Sequence, residues 1–162
     1  MDGKLSVLFF CEGNSCRSQM AEGLCLHLKG DCIEPHSAGT VSRELAPLAV
    51  AVMREIGVDI FSPRSKTVED LSERDYDSVV TIFDDTETCP FFPGNAKQVN
   101  RGFNDPPKLA AGVASREEAL THYRRVRDEI REFILGFSEA LDREAGPFGQ
   151  AGVAKLGGDG VA

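Results

Sequence analysis

Apolar residues follow two rhythms along this chain. Continuous apolar stretches occupy residues 5–10, with Val7, Leu8, Phe9 and Phe10, and residues 77–83, with Val79, Val80, Ile82 and Phe83. Such stretches are expected of strands buried on both faces. A shorter stretch over 32–38 reads as another strand, with Gly39 beginning a turn, and residues 97–100 read as a short fourth one. Helical spacing lies between them. Met20, Leu24 and Leu28 mark a helix over 17–29, stopped at Gly30. Leu45, Leu48, Ala49, Val52, Met53 and Ile56 mark a second over 44–56, with Pro47 in its first turn.

Residues 61–66 read as a loop, 67–74 as a short helix, 84–94 as a connection and 103–107 as a turn. Ser115 and Glu118 form a capping box that opens a long helix to Leu141. Its apolar positions include Leu120, Tyr123, Val126, Ile130, Phe133 and Phe137. Strands alternating with helices predict an α/β fold: right-handed crossovers and a parallel sheet covered on both faces. No internal repeat interrupts this order. Residues 1–145 read as a single catalytic domain, and the Gly- and Ala-rich residues 146–162 as a flexible tail.

In a parallel sheet, ligands bind beyond the carboxyl ends of the strands. Three connections leave those ends: 11–18, 84–94 and 101–107. The first reads Cys11-Glu12-Gly13-Asn14-Ser15-Cys16-Arg17-Ser18 and runs from a strand into a helix. Its backbone N–H groups and the helix N-terminus would cradle a tetrahedral oxyanion. Cys11 beside that N-terminus and Arg17 is expected to be a thiolate. Arg17 can hold two oxyanion oxygens at once. Ser18 can donate to the Cys11 sulfur and make it a better leaving group. Gly13 and Asn14 would tolerate the positive φ of a tight loop. A generic turn with an inert buried Cys is the plainer alternative, but spacing, Arg and Ser all fit one mechanism. Attack on a tetrahedral anion also needs an acid for the departing oxygen. Asp105, stiffened by Pro106, is the candidate; an ordinary Asp-Pro turn is the competing reading.

Charge and composition narrow the partners. The chain carries 26 acidic and 18 basic residues, a net charge of −8, with no basic run. This argues against a nucleic-acid partner, and the Arg- and Glu-rich stretch 116–132 reads as a solvated helix face. No apolar run approaches the ~20 residues that span a membrane, and no signal peptide is evident. A cytoplasmic protein with reduced thiols is expected. The five cysteines, Cys11, Cys16, Cys25, Cys32 and Cys89, include no metal-ligand spacing, so neither metal nor cofactor is expected. Cys25 and Cys32 read as core residues, His36 as structural, and His27 and His122 as surface residues. Glu22, Ser37 and Lys66 could form a polar support beneath the loop, although an exposed position is commoner for the two charged residues.

The stretch from Val7 to Ser18 resembles the signature of the low-molecular-weight protein tyrosine phosphatase superfamily. The resemblance continues through Ser37-Ala38-Gly39-Thr40, Val79-Val80-Thr81 and Asp105-Pro106, over roughly residues 4–142. It implies a three-layer sandwich with a central four-stranded parallel sheet. It implies that Cys11 is the nucleophile, Arg17 the oxyanion ligand and Asp105 the general acid, and it supports a loop-fixing role for Asn14.

Residues 17–23, Cys89-Pro90, Phe103 with Asp105-Pro106, and residues 125–130 resemble the arsenate reductase branch. That branch implies reduction of arsenate to arsenite, with the reductant being thioredoxin or a small thiol with glutaredoxin. The phosphatase branch usually has Pro at the position of Gln19, and tyrosines after its Asp-Pro that wall an aromatic substrate. Here Pro107 and Lys108 follow, which suits a small inorganic anion. Relatives in the reductase branch relay electrons through a second Cys at the end of the third strand and a third Cys seven residues on. Phe83, or at most Asp84, stands at the second position, while Cys89 stands at the third. Attack on Cys11 by Cys89, by an external thiol or by Cys16 are the routes left open. In the phosphatases, a Cys at the Cys16 position can pair with the nucleophile as a reversible oxidation lock; packing beneath the loop is the plainer role. A phosphatase working through a Cys11-phosphoenzyme is the alternative activity. A non-enzymatic oxyanion or thiol-redox sensor is the third reading.

Overall fold

A computed structural model of the chain describes residues 4–13, 15–41, 43–60, 75–83 and 96–137. The elements are β1 (Leu5–Cys11), α1 (Arg17–Lys29), β2 (Ile33–Gly39), α2 (Pro47–Glu55), β3 (Ser78–Thr81), β4 (Lys97–Asn100), α3 (Pro106–Ala110) and α4 (Arg116–Leu135). The four strands form one sheet in the order β2-β1-β3-β4. All pairings are parallel. This is the expected α/β sandwich on a central parallel sheet.

β1 is apolar on both faces because both faces are buried. Val7, Phe9 and Cys11 share a core with Met20, Leu24, Val52, Met53, Val126 and Ile130 from the helices. Leu8 and Phe10 point the other way, into a second core with Ala38, Tyr76 and Val79. Phe9, Phe10, Leu8, Met20 and Phe137 are among the largest fully buried side chains. Each contributes about 1.5–3 kcal/mol of burial free energy. Among the described residues, no helix is long and apolar enough to cross a membrane.

Register brings the carboxyl ends of the strands to one edge. Cys11 pairs with Gly39, Phe10 with Thr81, and Thr81 with Asn100. β1 and β3 are neighbours with crossovers leading in opposite directions, the switch point at which such sheets bind ligands. The loop after β1 therefore opens at the centre of that edge.

Several boundaries differ from the pattern-based reading. β2 runs through Gly39 instead of turning there, because Gly39 still pairs with Cys11. β3 is shorter than expected, ending at Thr81. α2 begins at Pro47, three residues late. The residue before a proline avoids helical angles, and Ala46 is extended at φ −65° and ψ 123°. Residues 103–107 are not a simple turn, since α3 starts at Pro106 with Asp105 at its N-cap position. α4 is capped as expected: Ser115 Oγ accepts from the Glu118 N–H at 3.1 Å.

Cys25 lies in the core, where burial pushes its thiol up to about 12. Cys32 does not share that core; it is exposed in the turn before β2. The turn leaves β2 to begin its buried side chains at Ile33. Arg127 corrects the reading of 116–132 as a purely solvated face. It is 8% exposed and ties α4 to α2 through Val52 O and Glu55. The predicted loop 61–66, helix 67–74, connection 84–94, the end of the long helix beyond 137 and the tail 146–162 lie outside the described residues.

Candidate active site

Cys11 ends β1, and Arg17 and Ser18 open α1, so strand and helix deliver the three side chains to one point. Cys11 Sγ lies 2.9 Å from Ser18 Oγ, both buried. Toward a thiolate, the hydroxyl is the donor. Arg17 is 2% exposed. Its Nη1 donates to Phe103 O at 3.2 Å, and its Nε faces Asp105 Oδ1 at 3.3 Å as an ion pair without hydrogen-bond alignment. A residue 88 positions further along the chain is thus brought against Arg17. Cys11, Arg17, Ser18 and Asp105, singled out from sequence, form one cluster.

The loop between Cys11 and Arg17 is held from outside by Thr40, Val41, Arg43 and Ala46. Glu12 O accepts from the Val41 N–H at 3.0 Å and from Thr40 Oγ1 at 3.0 Å. Gly13 O accepts from Arg43 N–H at 3.2 Å, and Ser15 O from Ala46 N–H at 2.8 Å. A planar trans peptide points its C=O and the next N–H in opposite directions. With the Glu12 and Ser15 carbonyls turned toward this strap, the Gly13 and Cys16 amides face away from it. Nothing in the hydrophobic pattern announced this strap, because it works through main-chain atoms. Its formation also explains the late start of α2.

Gly13 does not take the positive φ expected of it; among described glycines only Gly57 and Gly112 do. Its lack of a side chain leaves room for Arg43. A Cβ there would lie 3.0 Å from Arg43 Cδ, whose side chain packs over the loop. Arg43 Nη1 also approaches Glu12 Oε1 at 3.7 Å, at the exposed rim. Asn14 lies outside the described residues.

Cys16 is the N-cap residue of α1 and makes no capping hydrogen bond through its side chain. Burial, then the charges of Asp105 and Cys11, push its thiol well above the ordinary value, against the opposing pull of Arg17. It is therefore held as a thiol. Tyr123 reaches this neighbourhood from α4; burial and the charges of Cys16 and Asp105 raise its phenol. Beside the loop, Ser37 Oγ donates to Glu22 Oε1. Lys66 and Cys89 lie outside the described residues. His36 pairs with Glu34 at 2.9 Å and lies edge-on to Tyr76, consistent with a structural part.

Phe83 follows β3 and packs edge-on against Phe10, with centroids 5.7 Å apart. Cys32 sits at the opposite end of the sheet from Cys11. Leu5 pairs with Ile33 while Cys11 pairs with Gly39, a strand length of roughly 20 Å at about 3.3 Å per residue.

A thiol at the mouth of a helix N-terminus, a buried guanidinium and a facing carboxylate can receive a tetrahedral oxyanion, attack its centre and protonate a departing oxygen. The chain is 42% identical over 137 residues to an arsenate reductase of Halalkalibacterium halodurans, covering 84% of this chain and 96% of the relative. The crystal structure of an arsenate reductase from Archaeoglobus fulgidus superposes with a TM-score of 0.68 at 25% identity, over 82% of this chain and 98% of that one. A thioredoxin-dependent arsenate reductase of Corynebacterium glutamicum superposes with a TM-score of 0.54 at 27% identity, over 82% of this chain and 62% of that one. The model of one family, the low molecular weight phosphotyrosine protein phosphatases, matches residues 6–146, a span that holds the whole cluster from Cys11 to Asp105. By that match, and by the fold and loop that carry it, the chain belongs to the low molecular weight phosphotyrosine protein phosphatase family.

Proposed function

We propose that this protein reduces arsenate to arsenite through a covalent adduct on Cys11. The loop amides and Arg17 hold the anion. The Cys11 thiolate attacks arsenic, an As–O bond breaks, and Asp105 protonates the departing hydroxide to water. A second thiol then attacks the Cys11 sulfur. A disulfide forms, the As–S electron pair stays with arsenic, and arsenite leaves. The two thiols supply the two electrons.

The observation that carries the reductase reading over hydrolysis is the identity to a named arsenate reductase along nearly its full length. The buried pair of Cys11 and Ser18 supports the first step.

The second thiol is narrowed by exclusion among the described cysteines. Cys16 is buried and held protonated, which makes it a poor nucleophile. Cys25 is in the core, and Cys32 is at the far end of the sheet. Phe83, just past β3, packs on Phe10 at the position where the resemblance would place a relay cysteine. Cys89 or an external thiol is left. Likeness to a thioredoxin-dependent reductase supports thioredoxin as the final reductant, with a small thiol and glutaredoxin as the other source. A phosphatase reading has one specific support, the family itself, since water could replace the second thiol on a Cys11-phosphoenzyme.

The deciding assay follows arsenite formation by the purified protein with thioredoxin and its reductase, or with glutathione and glutaredoxin. Hydrolysis of p-nitrophenyl phosphate runs in parallel. Arsenite is expected from the intact protein and none from Cys11→Ser. Cys89→Ser is expected to abolish turnover with thioredoxin while leaving the small-thiol route. Ester hydrolysis with no arsenite under either reductant would overturn the proposal in favour of a phosphatase.

A further inference from the structure

The segment carrying Asp105 is fastened at every residue. Arg101 N–H donates to Thr81 O at 3.0 Å, prolonging the pairing of β3 with β4. Gly102 runs so close to the end of β3 that a Cβ would sit 3.0 Å from Phe83 O. Phe103 is 3% exposed, and its carbonyl accepts from Arg17. Asp105 O accepts from Leu109 N–H at 3.1 Å, in the first turn of α3.

Two guanidinium groups outside the reacting cluster complete this fastening. The Arg101 guanidinium carbon stands 4.4 Å from the Phe103 ring centroid and 5.8 Å from that of Phe133. Its Nη1 donates to Gly102 O at 2.9 Å. Phe103 meets Phe133 edge-on at 6.0 Å, Phe133 meets Phe137 at 5.4 Å, and Phe137 meets Phe9 at 5.9 Å. Arg101 thus closes an aromatic column that begins two residues before Cys11. On the other side of Phe103, Arg125 Nη2 donates to Asn104 Oδ1 at 3.1 Å, while its Nη1 pairs with Glu129 Oε2 at 2.7 Å. One guanidinium grips the residue two before the acid and the other the residue immediately before it.

We propose that Arg101 and Arg125 are positioning residues, which hold Asp105 at its protonating distance by clamping Phe103 and Asn104. The proposal rests on Asp105 being the acid. A guanidinium over a ring face resists sliding of that ring. Errors near 1 Å in the placement of a reacting group cost up to ~10² in rate. Among the described residues, Arg101 and Arg125 bond and stack with residues 102–104, 129 and 133, outside the loop 11–18, so the clamp is expected to act mainly on turnover.

The test is a double-mutant cycle on initial rates of arsenate reduction, fitted for kcat and KM. Arg101→Met keeps a flexible apolar contact with the ring and removes the cation. Asn104→Ala removes only an exposed acceptor, so it tests the Arg125 grip without threatening the fold. Each is expected to lower kcat ~10-fold with KM within twofold, and Arg101→Lys to recover part of the loss. In the Asp105→Asn background, both substitutions are expected to have no further effect. Equal losses in both backgrounds, unchanged kcat in the first, or a rise in KM alone would overturn the clamp. Failure of the underlying reading is visible separately, because Asp105→Asn by itself would then leave turnover intact.

Discussion

The starts of α1 and α4 obey opposite rules. α4 opens as a helix should: Ser115 caps it, and Glu117 and Glu118 fill its first turn, where negative charge favours the helix dipole. α1 opens with Cys16, which makes no side-chain cap, carries no acid in its first turn, and buries a cation, Arg17, at its positive end. The two arginines buried among the described residues repeat the contrast. Arg127 is held by short bonds, at 2.9 Å to Val52 O, 2.9 Å to Glu55 and 2.8 Å to Asp128. Arg17 is held at 3.2 Å by a carbonyl and faced at 3.3 Å by Asp105. Buried charge is costly unless it is compensated. At α4 the protein compensates it permanently with its own groups. At α1, on the proposed reading, a helix N-terminus, loop amides and the Arg17 guanidinium converge where an oxyanion would bind. Local rules are broken where function requires it.

The strongest way to break this comparison is to replace Arg17. Lysine keeps the charge but cannot grip two oxygens in a plane. Arg17→Lys is expected to lower arsenite formation by ~10²–10³, as loss of a preorganised oxyanion donor does, with a rise in the concentration of phosphate needed to compete. Activity within a few-fold of the parent would mean that the α1 start is an ordinary turn with a buried ion pair.

Much of this contrast is legible in the residues themselves. The apolar run before Cys11, the Cys-to-Arg spacing and the Ser115–Glu118 box are local signals, and each reports its own element. Asp105 is legible as a candidate acid, from its place before Pro106 and from the family resemblance; its meeting with Arg17 depends on the order β2-β1-β3-β4, which no local signal states. The strap of Val41, Arg43 and Ala46 was invisible because its grip on Glu12, Gly13 and Ser15 uses backbone N–H groups, which every residue but proline has. Arg127 reads as a solvated charge because it lies within the Arg- and Glu-rich run 116–132. Its burial is set by Glu55 on another helix. Cys32 looked like a core residue because the strand was expected to start one position early.

A smaller effect sharpens the comparison by exchanging serines. Ser18→Ala removes the partner of the Cys11 sulfur and is expected to slow turnover ~10-fold, at the low end for a hydrogen bond that strengthens during reaction, with little change in melting temperature. Ser115→Ala removes the α4 cap and is expected to cost ~1 kcal/mol of stability with activity per folded molecule unchanged. Thermal melts and steady-state rates on the two variants separate them. Loss of activity from Ser115→Ala at full stability would erase the distinction between the two helix starts.

The smallest effect concerns the pH dependence of the permanent pairing. Glu55 accepts from Arg124 at 2.9–3.1 Å and from Arg127 at 2.9 Å. Hydrogen bonds from Arg124 foremost hold its carboxyl below the ordinary value, against a partial opposing effect of burial, with Arg127 adding to the shift. A carboxyl with a lower pKa in the folded than in the unfolded chain binds fewer protons when folded. Its stabilisation is complete above the unfolded pKa, near 4.3 for Glu, and is lost as pH falls through the lower folded value. The melting temperature of the parent should therefore exceed that of Glu55→Gln by a constant margin from neutral pH to about 5. The margin should close on further acidification. It should be modest, because pairs open to solvent are screened and contribute little. A margin that does not narrow at all as the pH falls below the unfolded value would mean that Glu55 supports the α2–α4 contact through its packing and not its charge, and the pairing around Arg127 would then lose its electrostatic contrast with that around Arg17.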